Sequence, residues 1–297
     1  MIINLEYGSR LNIKINITMS YVSAGLVSQV SGSVSQSAID EISAFQTNVR
    51  SLLQGYETFL QGSYANDTAI SDINDVDIIA LEKPLLGFLP SISASNNLFY
   101  DIKSKLEVNQ TYRGRITIGR KCLTLTLATR KADIVPATGA VVGQSNHFGE
   151  PITIAQQILN YPKTHRSNGQ SKNQRTRDNY KRTVRMLKNY VNNWGIKSIA
   201  PSFYIECVVF SYTDESFDND LVLTLNNILT HMLSNNFITN FRTVAGDKIV
   251  ISQSEWAPQS FVAFRQHIAE RLPYLRVAGV NADTEGANLN FRRFFRL

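Results

Sequence analysis

The sequence predicts an α+β protein of two lobes, with a mixed sheet in the first half of the chain and helices in the second. Three observations predict it. Alternating, β-branched runs fall between residues 75 and 136, and apolar residues at helical spacing dominate after 150. A chain of 297 residues, 43% hydrophobic and 18% charged, is also long enough to build two modest cores. Strands first and helices later imply two lobes about a cleft.

Taken in order, residues 1–36 read as an N-terminal extension rich in Ser, Asn and Val. It holds an edge hairpin over 3–17 and a loose polar stretch over 20–37. Ile39, Ile42, Phe45, Val49, Leu52 and Leu53 then recur at helical spacing, which predicts a long spine helix of about twenty residues ending near Tyr56. Gly62-Ser63 marks a turn. Residues 75–81 predict a strand, 116–128 a second and 132–136 a third, with a short helix over 97–108. A Gly-rich connection over 137–150 closes a first domain of 37–150. The helical lobe spans 151–279, with helices over 152–159, 173–193, 202–210, 219–235 and 259–270. Residues 280–297, polar and then basic-aromatic, read as a C-terminal tail, and no internal repeat is visible.

Composition removes several classes. No apolar run approaches the roughly 18 residues of a membrane helix, and no segment reads as a secretion leader. Cys122 and Cys207 sit in apolar, strand-like runs and read as core residues rather than a disulfide framework. The expectation is a reduced, cytoplasmic protein. Its net charge of +6 is unevenly spread. Between 161 and 190, Lys163, Arg166, Lys172, Arg175, Arg177, Lys181, Arg182, Arg185 and Lys188 face only Asp178. Arg113, Arg115, Arg120, Lys121, Arg130 and Lys131 form a smaller cluster. A solvated face and a phosphate-binding face both fit such a run.

The chemistry points to residues 61–77. Asp75 and Asp77, at i and i+2 of a strand, share one face, so their oxygens can converge on divalent cations that bind triphosphate and activate a hydroxyl. Gly62-Ser63 permits close backbone approach to a phosphate. A third carboxylate is available at Asp133, heading an apolar strand where a charge needs a partner. Asp67 and Asp72, in the loop before the pair, read as turn residues, and His165 as a residue of a polar loop, solvated rather than catalytic.

Gly62-Ser63, eleven further residues and then Asp75-Val76-Asp77 resemble the polymerase-β-type nucleotidyltransferase signature. The string from Gln61 to Thr68, with Asp133-Ile134-Val135-Pro136 downstream, resembles one branch, the cyclic GMP-AMP synthase/DncV-like nucleotidyltransferases (CD-NTases). Tyr161-Pro162-Lys163-Thr164-His165, the stretch from Lys172 to Arg182 and Pro201-Ser202-Phe203-Tyr204 fit the same branch in the same order. The resemblance implies a polymerase-β-like core with a spine helix, followed by a C-terminal helical lobe. It implies that Asp75, Asp77 and Asp133 hold two Mg²⁺, with Mn²⁺ as a substitute, and that Asp133 draws the proton from the acceptor hydroxyl.

On the same basis Gly62 and Ser63 cradle the triphosphate, Lys181 neutralises β/γ-phosphate charge and Ser202 meets the γ-phosphate. Phe203 is then the platform on which a base stacks. Ser202 also reads as a plain N-cap, Phe203 as a core residue, and Lys172 and Lys188 compete with Lys181 for its role. No cluster of one His and three Cys supplies a zinc site.

The activity implied is the joining of NTPs, ATP among them, into a cyclic di- or trinucleotide second messenger with release of pyrophosphate, in bacterial antiphage (CBASS-type) signalling. The partners implied are a downstream effector receptor for the product and an accessory protein acting on the C-terminal tail. The alternative enzyme is a linear oligonucleotide synthase activated by duplex RNA, in the manner of oligoadenylate synthases. A nucleic-acid-binding module on a degenerate transferase fold is the reading from another class. The presence of all three aspartates disfavours it.

Overall fold

The computed structural model describes residues 2–3, 15–16, 19–70, 75–82, 94–139, 152–154 and 158–297. They divide into two compact units, Ser33–Ser171 and Met1–Gly32 with Lys172–Leu297. β1 (Ile2–Ile3) and β2 (Ile15–Asn16) pair antiparallel, where the hairpin is expected. After α1 (Ala24–Ser31) comes α2 (Gln36–Ser51), the spine helix. It is capped by Ser35, whose side chain accepts from Ala38 N.

The first unit continues with β3 (Tyr56–Gln61), α3 (Gly62–Ala65), β4 (Asp75–Glu82), α4 (Ala94–Glu107), β5 (Ile116–Ile118), β6 (Leu123–Thr126), β7 (Lys131–Gly139), β8 (Ile152–Ile154) and β9 (Ile158–Asn160). The sheet runs β3-β4-β7-β6-β5, with β8 added to the far end of β7 and β9 to β8. Among the described strands of this sheet only β4 and β7 pair parallel, so the sheet is mixed. Alternation sorts its two faces. Val76, Ile78, Ala80, Ala132 and Ile134 pack under Ile42, Phe45 and Val49 of α2 and Phe99, Ile102 and Leu106 of α4. Ile79, Leu81, Val135 and Ala137 face the other way, against Ile152 and Ile154. Arg50 pins α2 to β3, donating to Thr58 O at 2.8 Å and Thr58 Oγ1 at 3.0 Å.

Two strand readings change. The helix expected over 152–159 is the pair β8 and β9. A short Ile-rich run carries no decisive periodicity, and a free edge of β7 settled it. The region 116–128 is two strands, β5 and β6, joined by a turn in which Gly119 N donates to Cys122 O at 2.9 Å. The connection expected over 137–150 begins as the end of β7, and 140–150 lie outside the described residues.

The second unit is helical. The helix expected over 173–193 is two, α5 (Pro162–Arg175) and α6 (Asn179–Asn193), the first of which begins in the sheet unit. Between them Arg177 and Asp178 adopt φ of +52° and +65°. Asn173 braces the break: its Nδ2 donates to Asp178 Oδ1 at 2.7 Å and its Oδ1 accepts from Lys181 N at 3.0 Å. There follow α7 (Ser202–Phe210), α8 (Leu221–Leu233), α9 (Pro258–Ala269), α10 (Leu272–Val280) and α11 (Thr284–Phe295).

The termini differ most from expectation. The stretch read as an extension supplies α1, whose Leu26 and Val30 enter the helical core. Arg185 Nε donates to Ser31 O and Asn189 Nδ2 to Val30 O, both at 2.8 Å. The stretch read as a tail is α11, capped by Asp283, with Phe291, Phe294 and Phe295 fully buried. Their i, i+3, i+4 spacing is one helical face. Tyr190 stacks on Phe294 at 4.7 Å, and Trp194 Nε1 donates to Phe294 O at 2.9 Å. Each Phe→Ala in such a site costs about 3–5 kcal/mol. A chain stopped after Asp283 is therefore expected to lose its cooperative thermal transition, and Phe294→Ala to lower the melting temperature of the full chain by about 6 °C or more.

Candidate active site

Four strands bring the polar residues together. In the sheet register Gln61 of β3 pairs with Asp77 of β4, Asp77 with Asp133 of β7, and Asp133 with Thr124 of β6. Side chains paired in register share a face, so these four make one row across the sheet. The next row places Asp75 beside Lys131 and Lys131 beside Thr126. Behind these rows the same face becomes apolar, with Ile79 and Val135. The carboxylates therefore stand at the edge of a hydrophobic layer, at the N-terminal ends of two parallel strands. Asp75 and Asp77 share a face as their spacing predicts, and the β4–β7 pairing sets Asp133 beside Asp77.

Asp133 is held on both oxygens. Thr124 Oγ1 donates to its Oδ1 and Lys131 Nζ to its Oδ2, each at 2.6 Å. Asp77 is half-buried, and burial, then the charges of Asp133 and Asp75, push its carboxyl up to about 6. Burial likewise raises the Cys122 thiol, although this residue is half-buried beside the core, whereas Cys207 is fully buried.

Gly62 opens α3 directly after β3, with φ of +73°. A Cβ there would stand 2.0 Å from Asp77 Oδ2. Only glycine lets the turn lie against the carboxylate. Gly62→Ala is expected to abolish activity, because either the turn or Asp77 must move. The left-handed backbone adds about 1–2 kcal/mol of destabilisation, so a melt and an activity assay on one preparation check both effects. Ser63 follows in the turn, its carbonyl accepting from Thr68 N at 2.9 Å. Asp67, with φ of +54°, is a turn residue as expected, and Asp72 lies outside the described residues.

Among the described residues, no three His, Cys, Asp or Glu side chains close around one point as a complete metal cage. The donor set is nevertheless suited to Mg²⁺, which is commonly bound by one or two carboxylates together with substrate phosphates. Three carboxylates crowded on one face, one of them pushed up by the others, are the electrostatic mark of a site that a cation relieves.

Residues 167–272 match the family model of the cGAS/DncV-like nucleotidyltransferase C-terminal helical domain. The chain is 27% identical over 242 residues to the cyclic UMP-AMP synthase of Rhodothermus marinus, covering 71% of this chain and 83% of that one. Over 167–272 the chain carries this helical domain, and as a whole it is similar to the CD-NTases. It is 27% identical over 202 residues to the cyclic dipurine nucleotide synthase of Elizabethkingia meningoseptica, covering 58% and 68% of the two chains. Its fold matches the structure of Rhodothermus marinus CdnE c-UMP-AMP synthase with Apcpp and Upnpp at a TM-score of 0.66, with 22% identity over 84% of this chain and 97% of that chain.

The chain is thus a nucleotidyltransferase, with a mixed-sheet unit and a helical unit. Among the described residues, no helix is long and apolar enough to cross a membrane.

The helical unit sorts the competing lysines. Lys172 is buried; its Nζ donates to Tyr212 O at 2.5 Å and Asp214 Oδ1 at 3.2 Å, and burial lowers its ammonium. Lys188 is buried against Glu206 at 2.5 Å. Lys181, on α6, is half-buried. Ser202 and Phe203 begin α7 and are exposed, so Phe203 is not core. The N-cap of α7 is Pro201, and no side chain caps the helix, which removes the capping role read for Ser202.

His165 departs from expectation, lying buried on α5 rather than in a polar loop. Much of the basic run is used internally as well. Lys163 pairs with Glu57, Arg175 with Asp214, and Arg185 donates to Ser31 O.

Residues beside Asp133 were less legible. Lys131 was visible in a basic cluster, and its i−2 spacing places it on the face of Asp133. Thr124 carries no such signal, because only the β6–β7 register brings it there.

Proposed function

We propose that this chain is a Mg²⁺-dependent synthase that joins NTPs, ATP among them, into a cyclic di- or trinucleotide and releases pyrophosphate. The observation that carries the proposal is the carboxylate face: Asp77 and Asp133 paired in register, Asp75 two residues before Asp77, and Gly62 packed on Asp77. The curated relatives, synthases of cyclic UMP-AMP and of cyclic dipurine nucleotides, support a cyclic product. They also differ in the bases joined, so the bases used here are a matter for the assay.

Bound divalent cations supply charge neutralisation at the triphosphate and acidify the acceptor hydroxyl. Asp75, Asp77 and Asp133 are the residues that would hold them. Asp133 takes the proton from the acceptor hydroxyl, its carboxylate oriented by Thr124 and Lys131. Gly62 lets the α3 turn approach the triphosphate, where Ser63 offers its backbone amide and hydroxyl. In the helical unit, Lys181 is assigned to the phosphates, Ser202 to the γ-phosphate and Phe203 to the face of a base. The setting proposed is bacterial cytoplasmic antiphage signalling of the CBASS type, with a receptor for the cyclic product as downstream partner.

The test is incubation with all four labelled NTPs and Mg²⁺, without nucleic acid, followed by phosphatase and separation of products. A phosphatase-resistant product absent from Asp75→Asn/Asp77→Asn supports the proposal, and omitting one NTP at a time names its bases. A phosphatase-sensitive ladder would replace it with a linear synthase. If product forms only when duplex RNA is added, the activated alternative holds instead.

A further inference from the structure

The hydrogen bond between β6 and β7 assigns a residue to the site that no motif marks. We infer that Thr124 is a positioning residue, which fixes the carboxylate of Asp133 in the orientation that cation binding and proton removal require. The inference rests on the proposed metal-dependent activity.

The geometry is specific. The bond of 2.6 Å from Thr124 Oγ1 to Asp133 Oδ1 has the length of a charge-assisted O–H···O⁻ bond. An ionised carboxylate only accepts, so the hydroxyl proton is committed to it. Thr124 is also the rigid one of the two groups on Asp133. Its side chain is short and β-branched, with restricted rotation about χ1. Its neighbours Leu123 and Leu125 are fully buried in the opposite face of the sheet, which holds the backbone of β6 in place.

Lys131, the other partner, is different. It reaches Oδ2 on a flexible four-carbon stem, and its side chain is 41% exposed. A cation or a substrate phosphate can draw Lys131 away without moving the sheet. Thr124 can release Asp133 only by turning about a χ1 that its β-branch and strand backbone restrict. The division of labour follows: Lys131 supplies adjustable charge, and Thr124 sets direction. With one oxygen anchored to Thr124, Asp133 keeps lone pairs on both oxygens for further partners.

The test uses three variants of the full chain: Thr124→Val, which keeps shape and removes the hydroxyl, Thr124→Ser, which restores it, and Asp133→Asn. Mn²⁺ is titrated into each protein with a non-hydrolysable ATP analogue, and protein-bound Mn²⁺ is read by water-proton relaxation. Loss of an outer-shell partner typically costs 10–100-fold in metal affinity or activity.

Thr124→Val is expected to weaken Mn²⁺ binding by about that factor and to lower kcat with the KM for NTP within about twofold. Thr124→Ser is expected to recover most of both, and the melting temperatures of the two Thr124 variants to stay close to wild type. A packing role alone would move the melting temperature and not the binding of Mn²⁺. If Thr124→Val binds Mn²⁺ like wild type while Asp133→Asn does not, the positioning role is overturned. If Asp133→Asn also binds like wild type, Asp133 is not a ligand and the reading beneath the inference falls with it.

Discussion

Asp77→Asn abolishes product formation and at the same time raises the melting temperature measured without divalent cations. Both expected results come from one cause. Asp77 is forced to share a face with Asp133 and Asp75, half out of water, and its carboxyl is pushed up to about 6. For a carboxyl raised above its unfolded value, the folded state binds the proton more tightly than the unfolded chain. Its stabilising contribution is complete below the unfolded pKa, near 4, and is lost as pH rises through the folded value near 6.

Above pH 6 the ionised group therefore strains the fold by on the order of 2 kcal/mol, after discounting for its partial exposure. Asn removes that charge and keeps the shape. The gain is expected as several degrees at pH 8, shrinking to nothing at about pH 4, and Mg²⁺ with nucleotide is expected to close it by stabilising wild type alone. Activity falls by about 10³-fold or more, the scale on which loss of a transition-state electrostatic contact is felt. Melts across pH on the two proteins check the first part, and single-turnover rates the second. A variant no more stable than wild type at pH 8 would mean the carboxylates are not mutually strained.

The second large effect lies in the helical unit. Lys188 and Glu206 form an ion pair at 2.5 Å, with side chains only 3% and 6% exposed, joining α6 to α7. Removing one partner takes a counter-charge away from a buried ion, at a cost of about 3–5 kcal/mol. Glu206→Leu and Lys188→Met are each expected to destabilise on that scale in urea unfolding. The double variant Lys188→Met/Glu206→Leu is expected to recover most of the loss, because two apolar groups desolvate without penalty. Lys181→Ala, seven residues away on the same helix, is expected to change stability by about 1 kcal/mol or less and instead to raise the KM for NTP. If the single and double variants lose equal stability, the pair is not what links the two helices.

The lysines show what sequence periodicity can and cannot report. Lys172, Lys181 and Lys188 look alike in a basic run, and only their surroundings separate them. Lys172 caps a carbonyl, Lys188 meets a carboxylate in the core, and Lys181 stands half-buried. The same limit hid α5. Its buried stripe is Pro162, His165, Gly169 and Lys172, correctly spaced for a helix but without an apolar side chain after the proline. Periodicity of hydrophobicity cannot register a face buried through hydrogen bonds. At the other extreme, α11 carried a plain signal in Phe291, Phe294 and Phe295, and its basic neighbours masked it. The run 152–159 was ambiguous in itself, and strand pairing with β7 decided it.

By itself the sequence determined the alternation that puts Asp75 with Asp77, the Gly62 turn, the spine helix and the helix that begins at Ser202. Each depends on residues near one another in the chain, where a period of 2 or 3.6 states which side chains share a face. Tertiary structure alone decided that β3 lies beside β4, β4 beside β7 and β7 beside β6, which makes four separate strands into one row, Gln61, Asp77, Asp133 and Thr124. It also decided which cations are used up inside the fold and which ends of the chain are core. The physical reason is that local pattern encodes which way a side chain points, whereas its partner is chosen by packing between segments distant in sequence.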